Sequence, residues 1–283
     1  MRYTRVSIDG RAVWGRVEDD NVRLLSGSPL DGRPTVIGTV PRATATWLPV
    51  VVPPVFYAVG MNYQRHIEHA RGLGDGAAVV PTRPEVGYRA NNALTGHGAP
   101  IVKPAGVEGR FEAEPELVAV IGRTLRHATY KEAQDAVFGW TIGNDISART
   151  WQHQDRTFWR SKNSDTFKPM GPWIETEVDA LAQTTTLRVN GEVRASFPTG
   201  DMVFDPFDYI VEITKHNTMQ PGDVLWMGAE STCQIDPGDT VDVEISGIGV
   251  LSNPVHGKPR KAWKGSSHEQ GTPLHPPRQL PDH

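Results

Sequence analysis

The sequence predicts an α+β protein with a largely β core. Strand patterns outnumber helical ones, and the helices fall between groups of strands without strict βαβ alternation. Size and composition agree: 283 residues, 38% of them hydrophobic and 22% charged, can bury a substantial core, and 28 Gly with 23 Pro mark many turns in place of a coiled coil or a disordered chain. Tyr3–Ile8, Ala12–Val17 and Val22–Leu25 read as short strands separated by the turns Asp9-Gly10 and Asp19-Asp20, so residues 1–50 are expected to form a small N-terminal β domain. The apolar run Trp47–Val59, broken by Pro53-Pro54, then leads into a main domain expected over residues 51–257. Gly60 to Ala70 reads as a turn opening a short helix, and Arg71 to Gly98 as a long functional loop or lid.

Core signals strengthen after Gly109. Glu114–Ile121 carries Leu117, Val118, Val120 and Ile121 and reads as a buried strand. Thr129 and Glu132 have the spacing of a capping box, which predicts a helix from Tyr130 to about Val137, followed by a strand over Phe138–Ile146. Asp205-Pro206 is an N-cap followed by Pro at the first helical position, and Phe207, Ile210, Val211 and Thr214 recur at helical spacing, predicting a helix over Pro206–Asn217. Two Pro-Gly-Asp turns, at 221–223 and 237–239, launch the strands Val224–Met227 and Thr240–Ile245. Residues 258–283 combine Lys258, Arg260, Lys261 and Lys264 with Gly, Ser, Pro and His, and are expected to be a solvated tail without fixed structure.

Charge and cysteine usage bound the function. A formal net charge of −4 gives no global basic field to hold nucleic acid or anionic lipid, which favours a small-molecule enzyme. The single cysteine, Cys233, excludes an internal disulfide. MRYTRVSIDGR has no apolar signal region and no stretch has the length of a membrane span, so the expected setting is cytoplasmic.

Three segments carry candidate chemistry. In Glu112-Ala-Glu114-Pro-Glu116, alternate residues of a strand share a face, so Glu114 and Glu116 can converge on one cation with Glu112 next along the row. Oxygen-only ligands would suit Mg²⁺, Mn²⁺ or Ca²⁺ over zinc, while a solvated acidic strand start fits the same spacing. Asn144-Asp145, at the end of a predicted strand, could close a three-oxygen set or be a plain turn. Beyond it, Arg149, Gln152, Arg160, Lys162 and Lys168 lie among aromatic residues, a setting for an anionic substrate or for ordinary surface. The third segment, Asn62-Tyr63-Gln-Arg-His66-Ile-Glu68-His69, offers His66 as a general base. No dinucleotide fingerprint, P-loop, nucleophile elbow or zinc-protease helix motif is found.

Taken in order, GMNYQRHIEHA (60–70), EAEPELVAVIG (112–122), GWTIGNDISARTWQ (139–152), KNSDTFKPMGPWI (162–174), VNGEV (189–193), PGDVLWMG (221–228) and DVEISGIGVLSNPV (242–255) resemble the fumarylacetoacetate hydrolase family. The resemblance runs from about Tyr57 to Val255. It implies a mixed β-roll core behind a small N-terminal β domain, a homodimer, and a divalent cation held by Glu114, Glu116 and Asp145. It also implies Lys162 as the active-site lysine, Arg149 and Gln152 near the substrate carboxylate, and His66 as the residue that activates water, with Tyr63 beside it toward the substrate. Two positions depart from the family pattern. The glutamate that orients the histidine is expected three residues later, where this chain has His69, with Glu68 one position earlier. The Thr-Gly-Thr-Pro run is replaced by Met227-Gly228-Ala229-Glu230.

The resemblance implies action on a small 2-oxo or β-diketo acid, with the cation as Lewis acid and electron sink. The first expectation is hydrolysis of a C–C bond in an acylpyruvate-like acid, with Glu68 or His69 orienting His66. The alternative is decarboxylation or tautomerisation on the same scaffold, which needs no attacking water; a further alternative is a catalytically silent binding protein. Arg89, in Tyr88-Arg89-Ala-Asn91-Asn92, is expected to grip a second carboxylate of the substrate or to serve the loop structurally.

Overall fold

The computed structural model describes residues 1–72, 79–152 and 154–257, and at positions 69 and 70 only the backbone. The tail expected over 258–283 lies outside the described residues. Among these, the largest sheet has twelve strands. Its main path runs Val36–Pro41, Asn21–Leu25, Arg11–Glu18, Arg2–Ile8, Lys168–Glu175, Val137–Asn144, Pro115–Ile121, Val224–Trp226, Phe56–Val59 and Val86–Tyr88. Pairing is mainly antiparallel, with Val224–Trp226 parallel to Phe56–Val59. A five-stranded sheet carries Thr184–Val189 and Glu192–Pro198, and between these strands Asn190 (φ 54°) and Gly191 (φ 81°) supply the left-handed pair that a tight hairpin requires. A three-stranded sheet joins Ser147–Ala148, Phe111–Ala113 and Cys233–Gln234.

The N-terminal strands match the sequence reading closely: Arg2–Ile8, Arg11–Glu18 and Asn21–Leu25, followed by Val36–Pro41, which the sequence did not signal. They are not an isolated appendage. Arg2 and Tyr3 pair with Glu175 and Ile174, so the N-terminal meander extends the core sheet. Glu175 fastens this seam by accepting from Arg2 Nε at 3.0 Å and from the N-terminal amine at 3.1 Å.

Pro115–Ile121 is buried along its whole length. Leu117, Ala119 and Ile121 join one apolar cluster, while Val118 and Val120 join another around Trp226 and Phe56, so both faces of the strand are packed. The helix Tyr130–Ala136 starts at the Thr129–Glu132 capping box, and Pro206–His216 starts at Asp205, which accepts from the backbone of Phe207 and Asp208. Gln64–Gly72 forms the helix expected after Gly60.

Two expectations need correction. The run from Glu112 to Ile121 is not one strand: Phe111–Ala113 and Pro115–Ile121 belong to different sheets, and Glu114 is the joint between them. The segment 71–98 is not a plain loop, since Val86–Tyr88 pairs with Phe56–Val59 and Leu94–Thr95 pairs with Lys168–Pro169.

Candidate active site

Glu114, Glu116 and Asp145 present one carboxylate oxygen each within 4.8 Å of one another, and all three residues are buried. The backbone fixes this convergence. Asp145 N–H donates to the Glu114 carbonyl at 2.9 Å, and Glu114 N–H donates to Asn144 Oδ1 at 3.0 Å, so the joint between sheets is stitched to the end of Val137–Asn144. Glu116 lies opposite Gly143 in the next strand. Gly143 is small for a reason: a Cβ there would sit 2.6 Å from the Trp226 ring. Glu116 Oε2 accepts from Gly228 N–H at 2.8 Å, and Gly228 adopts φ 79°.

Cations surround the acids. Lys162 Nζ lies 3.0 Å from both Glu114 Oε1 and Asp145 Oδ2, and Arg89 Nη2 lies 3.0 Å from the same Asp145 oxygen. Lys168, fully buried, forms an ion pair with Asp145 Oδ1 at 2.5 Å and also donates to the Ile146 and Phe167 carbonyls. Arg149 spans Glu112 Oε2 through Nε at 2.8 Å, Glu114 Oε1 through Nη2 at 2.7 Å and Gln152 Oε1 through Nη1 at 2.9 Å. Ser147 donates to Glu114 Oε1 at 2.5 Å.

These contacts separate the protonation states. Burial opposes ionisation of Glu114, but Arg149 and Lys162 outweigh it and bring its carboxyl down to about 2. Asp145 is likewise held well below the usual carboxylate range against its burial, by Lys162, Lys168 and Arg89. Glu116 moves the other way: burial first, then the charges of Asp145 and Glu114, push it well above that range. Burial brings Lys168 down to about 8.

The donor set fits a hard divalent cation. It offers three oxygen ligands, and the upward push on the Glu116 carboxyl, from burial first and then from Asp145 and Glu114, is a repulsion that a bound cation would relieve. Glu112 is not part of the cluster. It accepts from Arg149 and Arg110, because the break at Glu114 removes it from the expected row.

A cavity of about 290 Å³ covers the site, with His66, Lys162, Arg149, Gln152 and Arg89 among its walls. The structure therefore brings His66 to the carboxylate cluster. Tyr63 is instead a core side chain: 1% exposed, it donates to the Thr199 carbonyl at 2.8 Å and meets Phe197 edge-on. Glu68 is exposed and accepts from Gln64 Nε2 at 2.8 Å, one helical turn back, away from the cavity. The side chain of His69 lies outside the described residues. Arg89 reaches Asp145, where the sequence reading had a second substrate carboxylate. Sequence reasoning missed Ser147, the Gly228 amide and the pairing of Lys168 with Asp145. Lys168 alone had a signal, as a cation within an apolar strand.

A family model described as fumarylacetoacetate (FAA) hydrolase C-terminal matches residues 55–256, carrying every member of the carboxylate cluster. The chain belongs to the fumarylacetoacetate hydrolase family. Its core is the mixed β-roll of that family, with a small distinct N-terminal domain, and a second model, Rv2993c-like N-terminal, matches residues 1–49. Protein Rv2993c of Mycobacterium tuberculosis is 35% identical over 89% of this chain and 94% of its own. Oxaloacetate tautomerase YisK of Bacillus subtilis is 34% identical over 70% of this chain and 68% of its own. The solved structure of 5-carboxymethyl-2-hydroxymuconate delta-isomerase from Mycobacterium smegmatis superimposes with a TM-score of 0.81, at 32% identity, covering 91% of this chain and 100% of that one. Among the described residues, no helix is long and apolar enough to cross a membrane.

Proposed function

We propose that this chain is a divalent-cation-dependent tautomerase or isomerase of a small 2-oxo acid, acting by proton transfer at the carbon beside the keto group. The observation that carries the reading is the convergence of Glu114, Glu116 and Asp145 beneath a cavity walled by His66, Lys162 and Arg149. The ordering of chemistries reverses that of the sequence reading, which put C–C hydrolysis first. Two observations support the reversal. A tautomerase and an isomerase are among this chain's relatives, and of the two residues expected to orient His66 for water activation Glu68 is turned to Gln64 instead, while the His69 side chain lies outside the described residues.

A cation held by the three carboxylates, Mg²⁺ or Mn²⁺ by its oxygen-only ligands, would polarise the substrate's keto oxygen. His66 takes the proton from C3 at one ring nitrogen. Lys162 Nζ, held between Glu114 and Asp145, donates toward the oxygen on which the enolate charge develops. Returning the proton to that oxygen completes a tautomerisation, and returning it to a conjugated carbon completes an isomerisation. Arg149, fixed by Glu112, Glu114 and Gln152, orients the substrate carboxylate at the cavity wall. A homodimer belongs to the same proposal, and light scattering measures it.

The test supplies purified protein and Mg²⁺ with the enol of oxaloacetate in D₂O. Faster enol loss and deuterium uptake at C3, with the carbon skeleton intact by NMR, is the expected result. Cleavage of an acylpyruvate into two acids without such exchange would return hydrolysis to first place. Release of CO₂ as the sole product would make the chain a decarboxylase, and binding without any product would make it a silent binding protein.

A further inference from the structure

We infer that the active site has a second compartment, which receives an uncharged aromatic tail on the 2-oxo acid. The inference rests on the proposed 2-oxo acid chemistry and names the substrate class within it. Beside the cavity of about 290 Å³ lies another of about 830 Å³, and Tyr88, Arg89 and Thr157 belong to the walls of both. The first is at the bottom of the range that holds small ligands, and the second lies toward the top. Arg89 is the buried part of the partition, with a side chain 8% exposed and an Nε that has no hydrogen-bond partner, while Tyr88 and Thr157 form its exposed edge.

The larger cavity is built rather than left over between loops. Asn163 Oδ1 accepts from Ala90 N–H at 2.7 Å, and Asn163 Nδ2 donates to the Phe158 carbonyl at 2.9 Å. Asn92 Nδ2 donates to the Asn163 carbonyl and to Asp165 Oδ1, each at 3.0 Å, and Thr166 Oγ1 accepts from Val102 N–H at 2.8 Å. These bonds cross-link the three chain segments that wall the compartment, and they do so one residue from Lys162. A tail entering it is therefore registered against the reacting end of the molecule.

Lining chemistry selects the tail. Trp159 and Tyr88, which are 66% and 58% exposed, are among its lining residues, and an aromatic group could pack on the apolar surface they offer. The positive charge of Arg89 is already answered by Asp145, whereas Asp165 places a negative charge on the wall. A carboxylate at the end of the tail meets repulsion, and a neutral ring does not.

The experiment compares kcat/KM of the full chain with Mg²⁺ for three 2-oxo acids that share the reacting end: a short aliphatic acid, one carrying a phenyl tail, and one of equal length ending in a carboxylate. The phenyl acid is expected to exceed the short acid at least tenfold, with the carboxylate-ended acid no better than the short one. In Ala105→Trp, which fills the compartment from its rim, the phenyl-to-short ratio should fall to about one. Equal values for all three acids, a preference for the carboxylate tail, or an unchanged ratio in Ala105→Trp overturns the inference. So does a dimer that Trp159→Ala splits without altering the ratio, because the cavity would then be an interface between two copies. If none of the acids is turned over, the proposed function fails. Calorimetry then decides the compartment alone: tenfold tighter binding of the phenyl acid supports it, and equal affinity overturns it.

Discussion

Replacing Glu116 by Gln separates the metal reading from an ordinary buried acidic cluster. Glu116 is 1% exposed and lies within 4.8 Å of two other carboxylates. At an effective dielectric near 20, two unit charges at that separation repel by roughly 3.5 kcal/mol. Burial adds to this, which is why the carboxyl is pushed well above its ordinary range. Gln reproduces the protonated form in shape and keeps an acceptor for the Gly228 amide, so without metal Glu116→Gln should change stability by less than about 1 kcal/mol. Ligand binding is where the variant should differ. A cation present at a hundred times its dissociation constant stabilises the wild-type fold by about 2.7 kcal/mol, and at about 2–4 °C per kcal/mol for a chain of this size the melting temperature rises by roughly 5–10 °C. Glu116→Gln should lose most of that rise, together with turnover. Differential scanning fluorimetry across a Mg²⁺ and Mn²⁺ titration, paired with the oxaloacetate assay, makes the measurement. A full metal-dependent shift in the variant would refute the cation site; a large loss of stability in the metal-free variant would refute the protonated state of Glu116.

Three further perturbations follow. Arg89→Met removes one of three cations on Asp145 and should lower kcat more than it raises KM, with a stability loss of about 1–3 kcal/mol by urea unfolding; a pure KM effect would restore the substrate-gripping role. Gly143→Ala drives a Cβ to within 2.6–2.8 Å of the fully buried Trp226 ring, so a loss above about 2 kcal/mol and a collapse of metal binding are expected, and a neutral variant would contradict the packing. Glu175 is held below its ordinary pKa despite its burial, by its bonds to Arg2, the Glu177 backbone and the N-terminal amine. Its contribution is fully present above the unfolded carboxylate pKa of about 4.3 and is lost as pH falls through the lowered folded value. Glu175→Gln should therefore flatten the wild-type decline in stability below about pH 4, which acid titration of the melting temperature reads directly.

Elements set by local chemistry were legible from the sequence. The Thr129–Glu132 box and the Asp205-Pro206 cap start their helices where expected, and Thr240–Ile245 has the predicted bounds. The linked motifs also placed Glu114, Glu116, Asp145 and Lys162 together. Period-two reasoning failed at Glu112, because it assumes one continuous strand and the chain changes sheets at Glu114. Tyr63, Glu68 and Arg89 share a different cause. Each side chain's partner is chosen by three-dimensional neighbours: the Thr199 carbonyl 136 positions away, a local Gln64 contact, and Asp145 from 56 positions away. The Gly228 amide had no sequence signal at all, since a backbone donor is set by φ and by what lies opposite.

The charges around the cluster argue for transition-state complementarity. Leaving aside the half-exposed Arg110 on Glu112, the cations Arg89, Arg149, Lys162 and Lys168 face Glu112, Glu114, Glu116 and Asp145, and with Glu116, whose carboxyl is pushed well above its ordinary range, counted as neutral the set carries one net positive charge. A divalent cation held by Glu114, an ionised Glu116 and Asp145 would raise the excess to two. A 2-oxo acid with a single carboxylate would bring one negative charge and leave one positive charge in the complex. In the proposed reaction, transfer of the C3 proton to His66 leaves that net charge unchanged, because the imidazolium gains what the enolate loses; what moves is the negative charge, which would develop on the keto oxygen beside Lys162. On the proposed chemistry, Lys162 would interact more strongly with the enolate oxygen than with the ketone, and only an interaction that strengthens along the reaction in this way raises kcat. Removing one cation from this set should therefore cost more in kcat than in KM, whereas Asp165, outside the set, should affect the choice of tail alone.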